Sequence, residues 1–369
     1  MDTPDQTSTN AVTQQRDAFI ERLLQSTRGT FDVFGIYIGV RLGFYEALAS
    51  TNAMTSSELA SRTRTYERYV REWLEQQTLA GVLEVEDETA EATARRFHLP
   101  SAHAEVLAQQ DSLNYLAPLI RLVAGAVHPL AAVLEAYRTG GGVPYANYGI
   151  DIREGQGDIN RAMFLKQLGR EWLPAIPDVH TRLLGDPPAR IADVGCGAGW
   201  SSIGMAQSYL KVQVDGFDLD EASIALARAN AAATDLTDRV KFSVRDAGDP
   251  QLAGRYDLVT AFECLHDMSQ PVRALKAMRS LAGNAGMVLA VDERVGEAFT
   301  ARGNDVEWMM YGWSILHCLP VGKADAPSAE TGTVMRPDTL RRYAMAAGFR
   351  NVEVLPIDNL FFRFYRLHT

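Results

Sequence analysis

Cysteine is scarce in this 369-residue chain: three in all, Cys196, Cys264 and Cys318. An odd number without zinc-type spacing excludes a disulfide framework or a cysteine-based metal centre, so no metal is expected, and a reducing, cytoplasmic setting fits best. Lysine is missing altogether from the first hundred residues, where ten arginines face fifteen acids. Within a whole-chain charge of −10, that shortage of positive charge opposes a phosphodiester partner. A leader is missing too. MDTPDQTSTNAVTQQ (1–15) has neither a basic n-region nor an apolar h-region, so it is expected to be a flexible N-terminus of the mature chain. No unbroken apolar run is long enough for a membrane span, since LNYLAPLIRLVAGAVHPLAAVL (113–134) is interrupted by Arg121, His128 and two prolines and reads as buried helices. Internal repeats and low-complexity tracts are also absent. What remains is an ordinary globular composition, 47% hydrophobic and 22% charged, long enough for two domains.

From about residue 185 onward, apolar strand-like runs alternate with helical patterns, as in a parallel sheet covered on both faces. Strands are predicted at ARIADV, KVQVDGF, RVKFSV, YDLVTAF and GMVLAV, with helices such as EASIALARANAAA and QPVRALKAMRSLA between them. After the helix PDTLRRYAMAAGF, NVEVLPI and NLFFRFYRL are too close together for a parallel crossover and must be antiparallel. The expected fold class is therefore α/β: a seven-stranded Rossmann-like sheet with its last strand antiparallel.

The first hundred residues read as a mainly helical winged-helix domain. FGIYIGVRLGFYEALA is helical, and Thr55 and Glu58 have capping-box spacing. In TYERYVREWLEQQTLAG, Tyr66, Tyr69, Val70, Trp73, Leu74 and Gln77 share a face. VLEVE and RRFHL make two short strands. The expected boundaries are 16–103 for the winged helix, 104–180 for a helical connector that covers a pocket, and 181–369 for the ligand-binding domain. TGGGVPY (139–145) is the expected hinge.

In IADVGCGAGWSS (191–202), Gly195, Gly197 and Gly199 follow a strand and open a helix, so bare backbone can approach a ligand. Trp200 stands where a dinucleotide fingerprint needs its third glycine, which disfavours a redox dinucleotide. Asp193 precedes the loop, and Asp218 ends the next strand, a position from which a carboxylate holds ribose hydroxyls. A ligand with an amino-acid tail, a positive centre and a ribose fits. S-adenosylmethionine has these parts: its ammonium would be drawn to Asp193, directly or through water, its carboxylate to the helix-start N–H groups and its ribose to Asp218. The plainer alternatives are a tight turn for the glycines and helix caps for the aspartates.

DVGCGAG and the strand order that follows resemble class I S-adenosylmethionine-dependent methyltransferases. With the N-terminal half, the resemblance extends to winged-helix small-molecule methyltransferases of the O-methyltransferase type and their bacterial relatives. It implies that Leu219 packs beside the adenine, that Asp246 and Ala247 flank its amine, and that Cys196, Glu263 and Cys264 line the cofactor, with S-adenosylhomocysteine as product. FECLHDMSQP is similar to the family's His-Asp segment, which makes His266 the base and Asp267 its companion. The sequence departs from the pattern at Met268, where the family has an aromatic, and at Gln270, where it has an acid. A buried structural histidine is the alternative.

In DVEWMMYGWSILHCLP (305–320), Trp308, Met309, Met310, Tyr311 and Trp313 are expected either to form an aromatic wall for a flat acceptor or to pack against the helical half or a dimer partner. His317 is an alternative base, Glu330 and Arg336 are candidates for polar acceptor contacts, and Tyr145, Tyr148 and Trp172 are expected to close the pocket or to belong to the core. The expected function is methyl transfer to a small aromatic or polyketide-like acceptor, most simply at oxygen. C- or N-methylation and a non-methylating tailoring reaction remain open. So does a winged-helix regulator that senses S-adenosylmethionine, for which Arg62, Arg64, Arg68 and Arg71 are the basic residues. Neighbouring glutamates explain these arginines equally well as surface ion pairs. The resemblance also implies a homodimer formed through the N-terminal domain; from charge and hydropathy, no nucleic-acid or membrane partner is expected.

Overall fold

The Val-, Ile- and Leu-rich runs predicted as strands become a seven-stranded sheet in the computed structural model, which describes residues 6–249 and 255–369. Its strands are β3 (Arg190–Val194), β4 (Gln213–Asp218), β5 (Val240–Val244), β6 (Leu258–Phe262), β7 (Met287–Glu293), β8 (Asn351–Val354) and β9 (Phe362–His368), after the two short wing strands β1 (Glu84–Val85) and β2 (Phe97–His98). The order is β5-β4-β3-β6-β7-β9-β8. β9 runs antiparallel to both β7 and β8, and the β3–β4, β3–β6, β4–β5 and β6–β7 pairs are parallel. Strands β6 and β7 are buried along their whole length, as strands covered on both faces must be. Alternation then assigns the faces. Ile191, Val214, Leu258 and Leu289 enter one core with Ile203 and Trp172, while Ala192, Val259 and Val288 enter the other with Leu275, Met278 and Leu340. Because β3 is flanked by β4 on one side and β6 on the other, the order reverses at β3, and a crevice opens at the carboxyl ends of these strands.

The chain falls into two compact units, residues 1–121 and 122–369. The boundary lies inside the helix Ala117–Val127, and not at the glycine-rich 139–145. Those glycines have local tasks instead. Gly140, at φ 75°, caps the helix Leu130–Thr139, and a Cβ at Gly142 would lie 2.2 Å from the Lys323 carbonyl carbon. A helix cap and a close backbone approach thus explain Gly140 and Gly142.

In the first unit the helix Gln6–Arg41 begins within the segment expected to be flexible; residues 1–5 lie outside the described ones. The capping box is present: Thr55 accepts from the Glu58 amide at 3.2 Å, and the Glu58 carboxylate accepts from the Thr55 amide at 2.8 Å. Along Glu67–Leu79, Val70, Trp73, Leu74 and Gln77 are buried. Tyr66 and Tyr69 are exposed and stack edge-on against each other, because Tyr69 sits a quarter-turn off the buried stripe. No single helix among the described residues is long and apolar enough to cross a membrane. Ala117–Val127 and Leu130–Thr139 meet the length and composition test only as a pair bent by 53°.

Candidate functional site

The glycine loop divides its labour. A Cβ on Gly195 would lie 2.6 Å from Cys264 Sγ, and one on Gly199 would lie 2.5 Å from the Phe242 ring, so both positions are glycine because protein packs against them. A Cβ on Gly197, at φ 49°, would meet nothing within 4 Å. That open face is where a ligand can approach the bare backbone. Beside it Asp218 Oδ2 accepts from the Gly197 amide at 2.8 Å and Oδ1 from the Asp220 amide at 2.9 Å. Each oxygen keeps further lone-pair capacity for hydroxyl donors. Leu219, 66% exposed, extends an apolar surface next to this acid. A cradle open at one glycine, a half-buried carboxylate and an adjoining exposed leucine fit a ribose and its base.

Asp193 is placed differently from expectation. It is 1% exposed; Ser201 and Ser202 hydroxyls donate to its Oδ2 at 2.6 and 2.7 Å, and the Thr260 hydroxyl donates to Oδ1 at 2.8 Å. Three hydroxyls enclose it, burial pushes its carboxyl pKa up, and it ties the helix Trp200–Ser208 to β3 and β6. At 1% exposure it is set back behind these hydroxyls rather than open at the loop surface. The loop amides are also mostly spent: Gly195 and Cys196 donate to Phe217 O, Gly197 to Asp218 and Gly199 to Cys196 O.

Asp246 accepts from the Gly248 amide at 2.8 Å and pairs with Arg273 at 3.0 Å, while Ala247 packs at the edge of the second core. Cys264 donates its thiol to Val194 O at 3.3 Å, and Cys196 is a buried thiol whose pKa burial raises. All three cysteines are free.

His266 is 3% exposed and held from two sides. Its Nδ1 lies 2.7 Å from Asp292 Oδ1, and its Nε2 lies 3.2 Å from Asp267 Oδ1. Two carboxylates overcome the desolvation of the ring and raise its pKa well above the ordinary histidine value, so it carries its proton at neutral pH. His317, 7% exposed, is the opposite case. It lies in the π-helical turn Ser314–Cys318, where such turns gather at functional sites. Its Nδ1 is 3.5 Å from Cys318 Sγ, Nε2 has no hydrogen-bond partner, and Tyr148 and Tyr145 stand edge-on at 4.5 and 5.8 Å. Burial lowers its pKa, so the ring is neutral. Burial also pushes the Cys318 thiol up to about 12.

The expected aromatic wall does not form. Consecutive residues of the helix Asp305–Trp313 point to different sides. Trp308 is 73% exposed, Tyr311 is exposed, Met309 is half-buried and Met310 is buried. Trp313 instead joins Tyr145, Tyr148, Leu316 and Val321 in an apolar cluster around His317. Tyr148 donates to Leu316 O at 2.9 Å. Trp172 belongs to the core against Phe362 and Phe364. Arg336 is engaged by Glu307 at 2.8 Å, and Glu330 by Lys323.

Sequence reasoning missed the helix Gly149–Met163 as a roof. Arg153 pairs with Asp220 at 2.7 Å, and the Gln156 and Asn160 amides donate to Glu263 at 3.3 and 3.0 Å. A Cβ on Gly157 would lie 2.7 Å from that of Ala198 in the glycine loop. The signal was present as polar residues at three- and four-residue spacing in REGQGDIN. It also missed Asp292 and Glu293, which look like the tail of an ordinary buried strand.

The comparisons with known proteins converge on one family. Residues 164–354, just over half of the chain, match the family described as Methyltransferase domain, and residues 33–109 match the Rv2258c-like winged HTH domain. Ajmaline N-methyltransferase of Rauvolfia serpentina is 29% identical over 103 residues, 28% of this chain and 35% of its own length. A ubiquinone biosynthesis O-methyltransferase of Marinobacter nauticus is 35% identical over 103 residues, 26% of this chain and 41% of its own. The chain thus spans about a third to two fifths of the length of these curated relatives. Among solved structures, mitomycin 7-O-methyltransferase MmcR has a TM-score of 0.71 at 18% identity, covering 96% of this chain and 99% of that one. Human N-acetylserotonin methyltransferase, in complex with S-adenosylmethionine, has 0.67 at 14%, covering 100% and 99%. At such identities the likeness is one of fold, and the family match supplies the rest. A glycine cradle with a half-buried carboxylate beside it at the β3 switch point, on a domain with this match, means that the chain belongs to the methyltransferase domain family, of the class I S-adenosylmethionine-dependent type.

Proposed function

We propose that this protein transfers a methyl group from S-adenosylmethionine to a small, ring-containing acceptor, at oxygen. The observation that carries the reading is the pairing of Asp218 with the Gly197 amide beside an open glycine face and an exposed Leu219. Bound S-adenosylmethionine supplies a methyl group already activated by its positive sulfur. The chain's own residues then have only to orient the acceptor, exclude water and receive one proton.

In the first reading His266 receives it. Asp292 locks the ring through Nδ1, and the acceptor hydroxyl takes the place of Asp267 at Nε2. One observation favours a second reading: His266 already holds its proton, whereas His317 is neutral and presents a bare Nε2 among Tyr145, Tyr148 and Trp313. His317 is then the base, and the carboxylate-clamped His266 is a fixed positive charge. Asp246, Ala247 and Cys264 retain the proposed cofactor-lining roles, and Trp308, Met309 and Tyr311 a proposed role at the acceptor entrance.

The winged unit supports assembly better than DNA reading. Arg68 pairs with Glu72 at 2.5 Å and Arg71 with Glu67 at 3.3 Å. An apolar groove of about 1150 Å³, lined by Phe31, Phe34, Ile38, Tyr66, Tyr69 and Leu79, suits a second copy of the chain. A homodimer acting in the cytoplasm is the corresponding proposal.

Calorimetric titration tests the core of this reading. S-adenosylmethionine and S-adenosylhomocysteine are expected to bind with micromolar affinity, NADH and NADPH not at all. A screen of phenolic acceptors should then give products heavier by one methylene. Binding of a reduced dinucleotide alone would overturn the assignment.

A further inference from the structure

We propose that Glu263 is the counter-ion for the α-ammonium group of the cofactor, and that it releases a proton when that group arrives. The inference rests on the methyltransferase reading above. Glu263 is the first residue beyond β6, the strand beside β3, and its neighbour Cys264 packs directly on Gly195 of the loop. Its φ of 51° is unusual for a residue with a side chain and turns the carboxylate out of the strand line at the lip of the cradle. There it accepts from Asn160 Nδ2 at 3.0 Å and Gln156 Nε2 at 3.3 Å, both neutral amides of the roof helix.

Among the described residues no ion pair reaches Glu263. The charged groups that act on it are Asp292 and Glu293 from β7 and His266 from the turn after β6. Asp292, itself 1% exposed, leaves Oδ2 without a hydrogen-bond partner. Three carboxylates, Glu263, Asp292 and Glu293, thus share one cation, His266, which Asp292 and Asp267 already hold, while Asp193 is enclosed among three hydroxyls. A primary ammonium supplies a second positive charge and three donors.

Glu263 and Glu293 lie together away from water, where both cannot ionise cheaply. Desolvation pushes Glu263 up to about 7 and Glu293 well above the ordinary range. A cation placed against the pair favours the carboxylate, so one carboxylic acid O–H breaks and its proton goes to buffer. Glu263 retains some exposure, the route by which a ligand reaches it.

The test uses S-adenosylhomocysteine and 5′-methylthioadenosine, which share the adenosine thioether and differ in the amino-acid tail. Titrations at pH 6.5 in buffers of different ionisation enthalpy report protons released, at a pH where an α-amino group is fully charged. Wild type should release roughly half to one proton with S-adenosylhomocysteine and none with 5′-methylthioadenosine. Glu263→Gln should weaken S-adenosylhomocysteine by about tenfold or more, abolish its proton release, and leave 5′-methylthioadenosine unchanged. Equal weakening of both ligands, or proton release that is absent in wild type or persists in the variant, would overturn the assignment while leaving the methyltransferase reading intact. If wild type binds no S-adenosylhomocysteine, both fall together.

Discussion

Asp193 and Asp218 are indistinguishable as residue types at the ends of apolar strands, yet one is spent on three hydroxyls and the other is held open by two amides. The two histidines divide in the same way. If His317 is the base, His317→Ala should lower kcat by about 10² with cofactor affinity unchanged. His266→Ala should then mainly raise the acceptor KM. The reverse pattern, read from steady-state kinetics on an acceptor found by the screen, would return the role to His266. Glu263 carries a stability prediction as well. Its folded-state pKa of about 7 lies above the ordinary 4.5, so the folded protein binds the extra proton. Its contribution is complete below about pH 4.5 and is lost as pH rises through 7. Glu263→Gln should therefore be more stable than wild type at pH 8, by about 1–2 kcal/mol after discounting for the shared titration with Glu293. The gain should vanish at pH 4.5, as urea midpoints at the two values will show.

At the scale of elements, the helix Gly149–Met163 decides access to the glycine loop. Gly157 sits mid-helix, where alanine would gain up to about 1 kcal/mol of helix propensity. Its Cβ, however, would stand 2.7 Å from that of Ala198, and relieving such a contact costs typically 1–3 kcal/mol. The clash wins, and it is relieved by lifting the roof. Gly157→Ala should therefore weaken S-adenosylhomocysteine severalfold with little change in melting temperature, as titration and thermal denaturation can measure. The helix at 305–313 teaches the complementary lesson. Five large residues within six positions read as a wall, but a helix spreads neighbours by 100° and turns Trp308 outward while burying Met310. The strands fared better: ARIADV, RVKFSV and GMVLAV lie within a residue or two of β3, β5 and β7, because a short apolar run, continuous in GMVLAV and alternating in RVKFSV, is buried most simply as a strand.

At the scale of the whole molecule, the exposed apolar groove of residues 1–121 is the feature a monomer explains least. Light scattering should give twice the 40.6 kDa chain mass. Charging the groove with Phe31→Glu and Tyr69→Glu should return the monomer mass without loss of helix. A stable wild-type monomer would remove the dimer proposal.

The sequence by itself determined the α/β sheet, its reversed last strand, the winged helix and the glycine loop with Asp218, because each follows from local periodicity or from short spacing along the chain. Which acids were free, which histidine was protonated and what roofed the loop were decided by tertiary structure alone. Thr260 meets Asp193 across 67 residues, Asp292 meets His266 across 26, and Asn160 meets Glu263 across 103. Protonation and availability depend on partners and burial, and those exist only once the chain has brought its distant parts together.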